Sequence, residues 1–500
     1  MVLVLILTAI FTLLILNLWR ARQKLPRGPI PLPLIGNLHQ FAYVCWKTGG
    51  MVSGFHEFRK QYGKVFTVWM GPLPTVHIAD FDVAHETHVK RANIFGTRFS
   101  SGGMNYVREG KGIVVSNGEF WQEHRRFALK TLRDFGLGRN IMEEKIMEEY
   151  RYRFQDYKKT NFKNGGIEVH ASSCFDLLVG SIINTLLVSE RFEHNDKEFE
   201  ELKKNIAQTF EKASFFDIFT PLWLLKSKFW QWRTKNVFGS MDLLHAQVKK
   251  GIQKRLKAIE NVTHETSEEG DDYLGVFLNK MEKDKKEEVA DSTFNHDTLS
   301  IDMFDLWLGG QETTSNTLTW ACLCLLNHPE VVENLRLELL EITGGNRGVS
   351  LTDKPKTPHL NATINEIQRI ASILANNLSR VLTEDTVIDG QPISAGTVVT
   401  VQMSMIHSDE SVFKNPTEFN PSRFLENSNL EKTLIPFGIG KRVCPGESLA
   451  RAELYLIIGN LMLDFNLEPV GPVPELKSIN PFGVMRRPVD YHIRLVPVKI

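Results

Sequence analysis

The first nineteen residues of the chain carry no charged side chain and are mostly Leu, Ile and Val. As an α-helix, this run would extend ~28 Å at ~1.5 Å per residue, close to the ~30 Å thickness of a bilayer's hydrocarbon core. The basic residues Arg20, Arg22 and Lys24 follow at once, and such residues favour the cytosolic side. A cleavable signal peptide would need basic residues before the run and a small-x-small site after it, and neither is present. The sequence therefore predicts an uncleaved, single-pass transmembrane anchor over residues 1–19.

A proline-rich segment follows the anchor. Residues 25–33 contain four prolines, and because proline fixes φ and lacks a backbone N–H, the segment suits neither a helix nor a central strand. We interpret residues 20–40 as a basic, proline-rich hinge between the anchor and a body of residues 41–500. No internal repeat and no long linker divides that body, so we expect one large domain.

Hydrophobic periodicity indicates the fold class. A helical period dominates from about Trp121 to Leu340, and short β-like runs occur around Val65–His77, Val387–Val401 and Tyr491–Val498. Hydrophobic residues make up 42% of the chain, which excludes a disordered protein. Lys+Arg and Asp+Glu are equal at 59 each, so the net charge predicts no nucleic-acid partner. The predicted fold is mainly α with small β-sheets.

One cysteine loop carries the chemistry. Residues 437–446 read FGIGKRVCPG and precede an apolar helical run. The glycines let the backbone amides turn toward the sulfur of Cys444, and the helix N-terminus with Lys441 and Arg442 is expected to favour the thiolate. A thiolate fixed in a loop is the axial ligand that oxygen-activating haem iron requires. A structural Cys-Pro-Gly turn is the alternative, but a chance match of five residues at these offsets has a probability on the order of one in ten thousand.

This loop matches the haem-binding pattern F-x-x-G-x-R-x-C-x-G at every position, and the chain resembles a membrane-bound cytochrome P450. The resemblance covers nearly the whole chain after the anchor. The other motifs follow in the family's order: Trp121-x-x-x-Arg125, Gly310-x-Glu312-Thr313-Thr314, Glu366-x-x-Arg369 and Pro421-x-Arg423-Phe424. The run from Trp121 to Met142 is similar to the microsomal clan that hydroxylates drugs, steroids and fatty acids.

The resemblance implies a haem b cofactor and a role for each matched residue. Cys444 would be the metal ligand. The side chains expected to bind the haem beside it are Trp121, Arg125, Arg380, Phe437 and Arg442. Three further residues, Glu366, Arg369 and Arg423, would form a buried network that supports the cysteine loop without taking part in catalysis.

On the other side of the haem, Glu312 and Thr313 would be the catalytic pair that relays protons. They lie in the segment Leu299–Asn327, which as a helix would run ~43 Å. The pair Gly309-Gly310 weakens such a helix, which leaves two interpretations: packing against a flat partner, or a groove for oxygen and water. Substrate contacts are expected from residues 101–116, 205–240, 371–379 and 481–483, around an apolar pocket.

The function that the resemblance implies is a haem-thiolate monooxygenase at the cytosolic face of the endoplasmic reticulum. It would insert one oxygen atom from O2 into lipophilic substrates such as xenobiotics, steroids or fatty acids. The electrons would come from NADPH through a separate flavoprotein reductase, because the chain has no nucleotide-binding glycine motif, and cytochrome b5 is a second candidate partner. Two alternatives remain open: a haem-thiolate isomerase that rearranges peroxides, and a non-catalytic, membrane-tethered haem or lipid binder.

Two surfaces are also predicted. Aromatic residues alternate with lysines over Phe215–Trp232, a pattern typical of the membrane interface, although packing in the core is the alternative. A basic patch would bind the reductase on the haem's cysteine-ligand side; its predicted members are Arg126, Lys130, Arg133, Arg139 and Lys441.

Overall fold

The computed structural model describes residues 1–135, 140–194, 196–213, 217, 219–261, 270–479 and 482–498. Helices dominate it, and three small sheets lie beside them, so the predicted fold class is confirmed. The longer helices are α1 (Val2–Gln23), α2 (Leu38–Thr48), α3 (Met51–Tyr62), α4 (Gly118–Asp134), α5 (Asn140–Thr160), α6 (Ala171–Val188), α7 (Lys197–Lys212), α8 (Gln231–Glu260), α9 (Tyr273–Lys286), α10 (His296–Asn327), α11 (Pro329–Thr343), α12 (Pro358–Ala371) and α13 (Glu447–Asp464).

The strands form sheets of five, four and two members. In chain order they are β1 (Val65–Met70), β2 (Leu73–Ile78), β3 (Thr97–Arg98), β4 (Phe162–Lys163), β5 (Gly166–His170), β6 (Arg380–Val381), β7 (Thr386–Ile388), β8 (Gln391–Ile393), β9 (Val398–Val401), β10 (Phe465–Pro469) and β11 (His492–Pro497). The sheet orders are β1-β2-β9-β6-β3, β10-β11-β5-β4 and β7-β8. All pairs are antiparallel except the parallel pair β2 and β9.

Helix α10 crosses the middle of the molecule. It begins at His296, three residues before the predicted start, because Asn295 caps it. The Asn295 side chain accepts hydrogen bonds from the backbone N–H of Asp297 and Thr298 at 3.1 and 3.0 Å, and the Thr298 hydroxyl accepts one from the Asn295 N–H. Most of its residues are buried on every face, as expected of a central helix.

Two of the described helices are long and apolar enough to cross a membrane. One is α6, but 67% of its apolar window is buried inside the protein, and it packs along α10. The other is α1, which is exposed along its length. It continues past the predicted anchor and includes Arg20 and Arg22 in its last turn.

The proline-rich segment after α1 is fixed to the sheet. The side-chain amide of Asn37 donates to the Pro29 carbonyl at 3.2 Å, and its oxygen accepts from the Trp69 N–H at 2.8 Å. A Cβ on Gly28 would come within 1.9 Å of the Thr67 carbonyl oxygen. Because β1 and this segment approach so closely, the hinge holds a defined position on the body.

The predicted structural network around Glu366 is present. The Glu366 carboxylate is fully buried and accepts from the Arg369 Nε at 2.7 Å and from the Arg423 Nε at 3.1 Å. Arg369 also donates to the carbonyls of His407 and Pro416. The network therefore joins α12 to the chain that leads into the cysteine loop, and breaking such a buried ion pair usually destabilises a protein strongly.

Candidate active site

A cavity of about 260 Å³ lies between α10 and the cysteine loop. Helix α10 contributes Gly309, Gly310, Thr313 and Thr314 to its wall, and the loop contributes Phe437, Arg442 and Cys444. The apolar part of its lining includes Ile113, Val114, Leu306, Ala371, Leu374 and Leu449. Residues that are far apart in the sequence thus surround one enclosed, mainly apolar space.

Left-handed backbone at two glycines shapes the cysteine loop. Gly438 and Gly440 both have φ near +80°, and a Cβ on Gly440 would lie 2.0 Å from the His88 carbonyl oxygen. The N–H of Cys444 donates to the Phe437 carbonyl at 3.0 Å, which closes the loop just before α13 begins. The result presents the sulfur of Cys444 to the cavity.

The Cys444 thiol corrects one expectation. The sulfur is exposed to the cavity, but the cavity itself is enclosed by protein. This burial raises the pKa of Cys444 above its ordinary value. The Gly446 N–H and the Arg125 charge lower the pKa only in part. The groups that lower this pKa are the Gly446 N–H, just before α13, and Arg125; the predicted contributions of Lys441 and Arg442 are not among them. A bound metal ion would have to supply the deprotonation, as metal coordination does for thiols.

A group of cationic side chains occupies one edge of the cavity. The guanidinium of Arg442 lies 3.9 Å from the centroid of the Trp121 ring, and that of Arg125 lies 5.6 Å from it. Arg98 and Arg380 lie directly opposite each other on β3 and β6, and both donate to the Leu378 carbonyl, at 3.1 and 2.6 Å. Among the residues that the structure describes, no carboxylate forms an ion pair with any of these four arginines.

These arginines suit a dianionic group. The Arg380 Nη2 and the Arg442 Nε and Nη1 are buried without a hydrogen-bond partner. Burial and the charge of Arg442 lower the pKa of Arg380 to about 9. Burial and the charge of Arg125 lower the pKa of Arg442 to about 9 as well. Because buried, unpaired cations are costly, the arrangement needs an anion, and the two propionates of a haem would meet that need.

The sequence prediction missed Arg98, which lines the cavity beside Trp121 and Arg125. Arg98 belongs to none of the motifs or β-like runs identified in the sequence. Six of the predicted site residues line the cavity: Trp121, Arg125, Thr313, Phe437, Arg442 and Cys444. Arg380 is buried next to that edge and does not line the cavity itself.

Glu312 and Thr313 point in different directions. Thr313 lines the cavity, and its hydroxyl donates to the Gly309 carbonyl at 2.6 Å. Glu312 is buried and does not line the cavity; its carboxylate forms an ion pair with Lys203 of α7. The structure therefore brings only one member of the predicted catalytic pair to the cavity wall.

The two glycines before this pair have different roles. A Cβ on Gly310 would lie 2.8 Å from the Ile183 Cδ1 of α6, whereas one on Gly309 would have no neighbour within 4 Å. Gly310 therefore permits close packing of α10 on α6, and Gly309 leaves open space at the cavity. Close packing, the first interpretation made from the sequence, therefore describes Gly310, and an open groove, the second, describes Gly309.

Glu453 of α13 is a second residue that sequence reasoning missed. It lines the cavity, is 1% exposed, and has an Oε1 without a hydrogen-bond partner. Burial raises the pKa of Glu453 to about 8, although a hydrogen bond with Thr314 lowers it. The side chain is therefore a neutral acid at pH 7.

This carboxyl should make stability depend on pH. Between about pH 4.5 and 8, an unfolded chain loses the Glu453 proton while the native protein keeps it, so the free energy of unfolding falls as pH rises through this window. We expect Glu453→Gln to remove this dependence, so that its thermal midpoint rises relative to the parent's from pH 5 to pH 8. A constant difference between the two midpoints across that range would contradict the assignment.

The predicted substrate regions contribute unequally. Residues 101–116 supply Ile113 and Val114, and residues 371–379 supply lining from Ala371 to Leu378. Among described residues, 205–240 and Phe482–Gly483 supply none to this cavity, and Pro481 lies outside the described part. Four residues of the 205–240 region, Phe219 to Leu222, instead line an outer cavity of about 860 Å³ together with residues near Gly71 and Ser101.

A cysteine that faces an apolar cavity, under a long helix and beside arginines without ion-pair partners, is the arrangement that a haem-thiolate protein requires. The family model described as Cytochrome P450 matches residues 26–495. The chain is 38% identical over 493 residues to "Probable cytochrome P450 cyp-35D1" of Caenorhabditis elegans, with 98% of both chains covered. It is 32% identical to "Cytochrome P450 2B19" of Mus musculus, covering 94% of this chain and 93% of that one.

The chain therefore belongs to the cytochrome P450 family. It is a monooxygenase, an oxidoreductase whose cofactor is a haem iron with a cysteine thiolate ligand. Enzymes of this family take electrons from a redox partner and act on lipophilic substrates. The resemblance recognised in the sequence is confirmed.

Proposed function

We propose that this chain is a membrane-anchored monooxygenase that oxidises lipophilic xenobiotics, steroids or fatty acids with electrons from NADPH through a flavoprotein reductase. In the overall reaction, one atom of O2 enters the substrate and the other leaves as water after taking up two electrons and two protons. The observation that carries the proposal is the position of Cys444 across an apolar cavity from Thr313.

The haem would be held by Cys444, whose sulfur would bind the iron, and by the cationic side chains at one edge of the cavity. The proposed partners of the propionates are Arg98, Trp121, Arg125, Arg380 and Arg442. When bound, the haem supplies the site for binding and activating oxygen. Phe437 is proposed to pack beside it; the Arg451 guanidinium lies over the Phe437 ring, 4.9 Å from its centroid.

The protein itself selects and positions the substrate. Apolar side chains from residues 113–114 and 371–374 and from Leu306 exclude water and favour lipophilic molecules. The Asp305 carboxylate also borders the cavity. It forms an ion pair with the Arg108 Nε at 2.5 Å and accepts a hydrogen bond from the Val114 N–H at 2.9 Å. A buried, paired carboxylate fixes the wall of the cavity without presenting a free charge to the substrate.

A reductase would bind to the basic patch. Arg126, Lys130 and Arg133 are exposed on α4, and Lys441 is exposed in the cysteine loop; Arg139 lies outside the described residues. None of these four described cations has an ion-pair partner among the described side chains. Because the chain has no net charge, local charges of this kind would have to guide the reductase.

Reconstitution with reductase tests the proposed function. We expect NADPH-dependent product from a panel of fatty acids, steroids and xenobiotics, with a rate that falls as salt screens the docking charges. Lys130→Glu with Arg133→Glu should raise the Michaelis constant for reductase, while Lys235→Glu on α8 should not. Product formed from a peroxide substrate without any NADPH consumption would favour the isomerase, and haem binding without turnover would favour the non-catalytic binder.

The membrane attachment is proposed to use α1 and an aromatic surface. Trp223, Phe229 and Trp232 are 74, 86 and 74% exposed, so packing in the core does not account for them; Phe215 and Phe216 lie outside the described residues. Large exposed aromatic rings beside lysines favour the interfacial region of a bilayer. The endoplasmic reticulum, with the catalytic domain in the cytosol, is the proposed location.

Removal of residues 1–24 should therefore weaken membrane binding without abolishing it. We expect part of the truncated protein to float with liposomes at low salt, and the added changes Trp223→Ser, Phe229→Ser and Trp232→Ser to release it. The matched control is Phe162→Ser in the truncated protein, since Phe162 is also exposed but lies on β4. Complete solubility of the truncated protein would contradict the aromatic surface.

A further inference from the structure

A histidine and an aspartate are buried together between α4 and α10. The His124 Nδ1 lies 2.6 Å from the Asp302 Oδ2, and both side chains are fully buried. The imidazole stacks on the rings of Phe120 and Phe294, with centroids 4.1 and 4.7 Å away and planes inclined by 18 and 13°. Neither His124 nor Asp302 lines the haem cavity or belongs to a motif identified in the sequence, so the site described above leaves this pair without a role.

The hydrogen bonds determine where the protons of this pair lie. The Thr293 hydroxyl donates its only hydrogen to the Glu123 Oε2 at 2.6 Å, so its oxygen accepts from the His124 Nε2 at 3.1 Å. A neutral imidazole has one N–H, and here Nε2 carries it. The short contact with Asp302 therefore needs a second proton, and the stacked phenyl rings favour its position on the imidazole, as an imidazolium beside a carboxylate.

Three consecutive side chains attach α4 to its surroundings. Among the described residues, the hydrogen bonds between α4 side chains and other segments involve Glu123, His124 and Arg125. Arg125 donates to the carbonyl of Val443, next to Cys444, at 2.6 Å. His124 is thus the middle one of three neighbouring contacts, and its attachment to α10 controls how Arg125 reaches the cysteine loop.

Helix α4 also carries most of the basic patch. Arg126, Lys130 and Arg133 are exposed on it, while its inner face holds the pair with α10. On α10, Asp302 lies one turn before Asp305, which lines the haem cavity. The His124–Asp302 pair therefore connects the helix of the reductase surface and the cationic edge to the helix that forms the cavity wall.

We propose that the His124–Asp302 pair is a positioning pair: its ionic attraction fixes α4 on α10 and so sets both the contact of Arg125 with the cysteine loop and the orientation of the basic patch. This inference rests on the proposed function, which assigns the haem contacts and the reductase surface to α4. Positive charge near a haem favours its reduced form, because reduction adds an electron. Loss of the attraction should let Arg125 move away, lower the reduction potential of the haem and weaken haem binding.

The charge of Asp302 gives this positioning a pH dependence. Burial raises the pKa of Asp302 to about 6, although the hydrogen bond and charge of His124 lower it. The carboxylate attracts the imidazolium above about pH 6, and this attraction is lost as pH falls through that value and Asp302 takes up a proton. The other charged or titratable groups around the pair are Glu123, Tyr273, Lys280 with its partner Asp284, and Asp305 with its partner Arg108.

Asp302→Asn tests the pair, because it keeps the shape of the side chain and removes its charge. At pH 7.5 the midpoint potential of the haem-loaded protein should fall by about 59 mV, which is a tenfold change in the equilibrium constant for one electron. Transfer of haem to excess apomyoglobin should be about tenfold faster, and the Michaelis constant for reductase should rise. At pH 5 the parent and the variant should have the same potential, since Asp302 is then neutral in the parent as well.

Two further variants separate positioning from packing. His245 on α8 is also bonded to α10, at 3.0 Å from Ser300, so His245→Gln should keep the parent's potential and rate of haem transfer. The double variant His124→Phe with Asp302→Leu keeps an aromatic ring in the stack and replaces the two ions by apolar groups, a change that often preserves stability. It should fold, and its potential should be low at both pH values.

The two pH values decide between the outcomes. A parent potential at pH 7.5 in both Asp302→Asn and the double variant, with only the thermal midpoint changed, would overturn the proposal and assign the pair to packing. A potential that is lowered equally at pH 5 and pH 7.5 in Asp302→Asn would also overturn it, because the charge of Asp302 would not be responsible. The potential and the haem transfer require neither reductase nor substrate, so a parent protein without NADPH-dependent product would refute the proposed function alone.

Discussion

Replacement of Cys444 by serine should abolish the reduced, carbon-monoxide-bound Soret band that a thiolate ligand produces, and with it all NADPH-dependent product formation. The physical reason is that a hydroxyl is far less acidic than a thiol, while burial already raises the pKa of Cys444. A haem iron in the cavity could bind the Cys444 sulfur as a thiolate, but it would bind a serine hydroxyl only weakly. We expect turnover to fall to the background level of the haem-free protein.

The other cysteines provide the control. Cys45, Cys174, Cys322 and Cys324 are all buried away from the cavity, and burial raises the pKa of Cys45 and of Cys174 to about 12. Cys174→Ala should therefore keep the band and most of the activity, whatever it costs in stability. A Cys444→Ser protein that retained both the band and turnover would contradict the assignment of the ligand.

Local patterns in the sequence were enough to predict the elements that the site uses. The cysteine loop, the long helix α10 and the Glu366 network each depend on residues close together in the chain or on a recognisable family motif. The β1–β2 hairpin and the last strand also coincide with predicted runs. Short strands such as β5 and β10 were not predicted. Their strand conformation is fixed by pairing with β11 and not by a strong β preference of their own residues.

Contacts between distant segments could not be predicted in the same way. Arg98 joins the cationic edge only because β3 pairs with β6 and sets it opposite Arg380. Glu453 faces the cavity because α13 packs along α10, and Lys203 of α7 contacts Glu312 across 109 residues of sequence. In each case one ionisable residue lies in an ordinary helical or strand pattern, and only the tertiary structure shows what it contacts.

The acid of the proposed pair illustrates this difference. The motif predicted that Glu312 and Thr313 act together, yet in the structure Glu312 is paired with Lys203, behind α10. A buried ion pair of this kind holds its members firmly. A relay through Glu312 would therefore require this side chain to leave its ion pair with Lys203, whereas Thr313 already lies at the cavity wall.

Thr313→Ala should separate electron consumption from product formation. The hydroxyl of Thr313 donates its hydrogen to the Gly309 carbonyl, so its oxygen lone pairs are left to accept a hydrogen bond from a water in the cavity. This bond would hold the water where protons are delivered, and positioned proton transfer contributes ~10²–10⁴-fold. We expect NADPH consumption to continue, with most of it appearing as hydrogen peroxide, and the ratio of product to NADPH to fall by at least ~10-fold.

Three related variants show whether the hydroxyl itself is responsible. Thr313→Ser keeps the hydroxyl and should keep most of the parent ratio, whereas Thr313→Val keeps the shape and should behave like alanine. Thr317 lies one turn further along α10, also lines the cavity, and donates to the Thr313 carbonyl at 2.8 Å, so Thr317→Ala is the matched control. All four proteins should retain the parent's reduced, carbon-monoxide-bound spectrum, since none of the changes removes a proposed haem contact. A parent ratio in both Thr313→Ala and Thr313→Val would show that this part of α10 serves packing, and that protons are delivered to the cavity by another group.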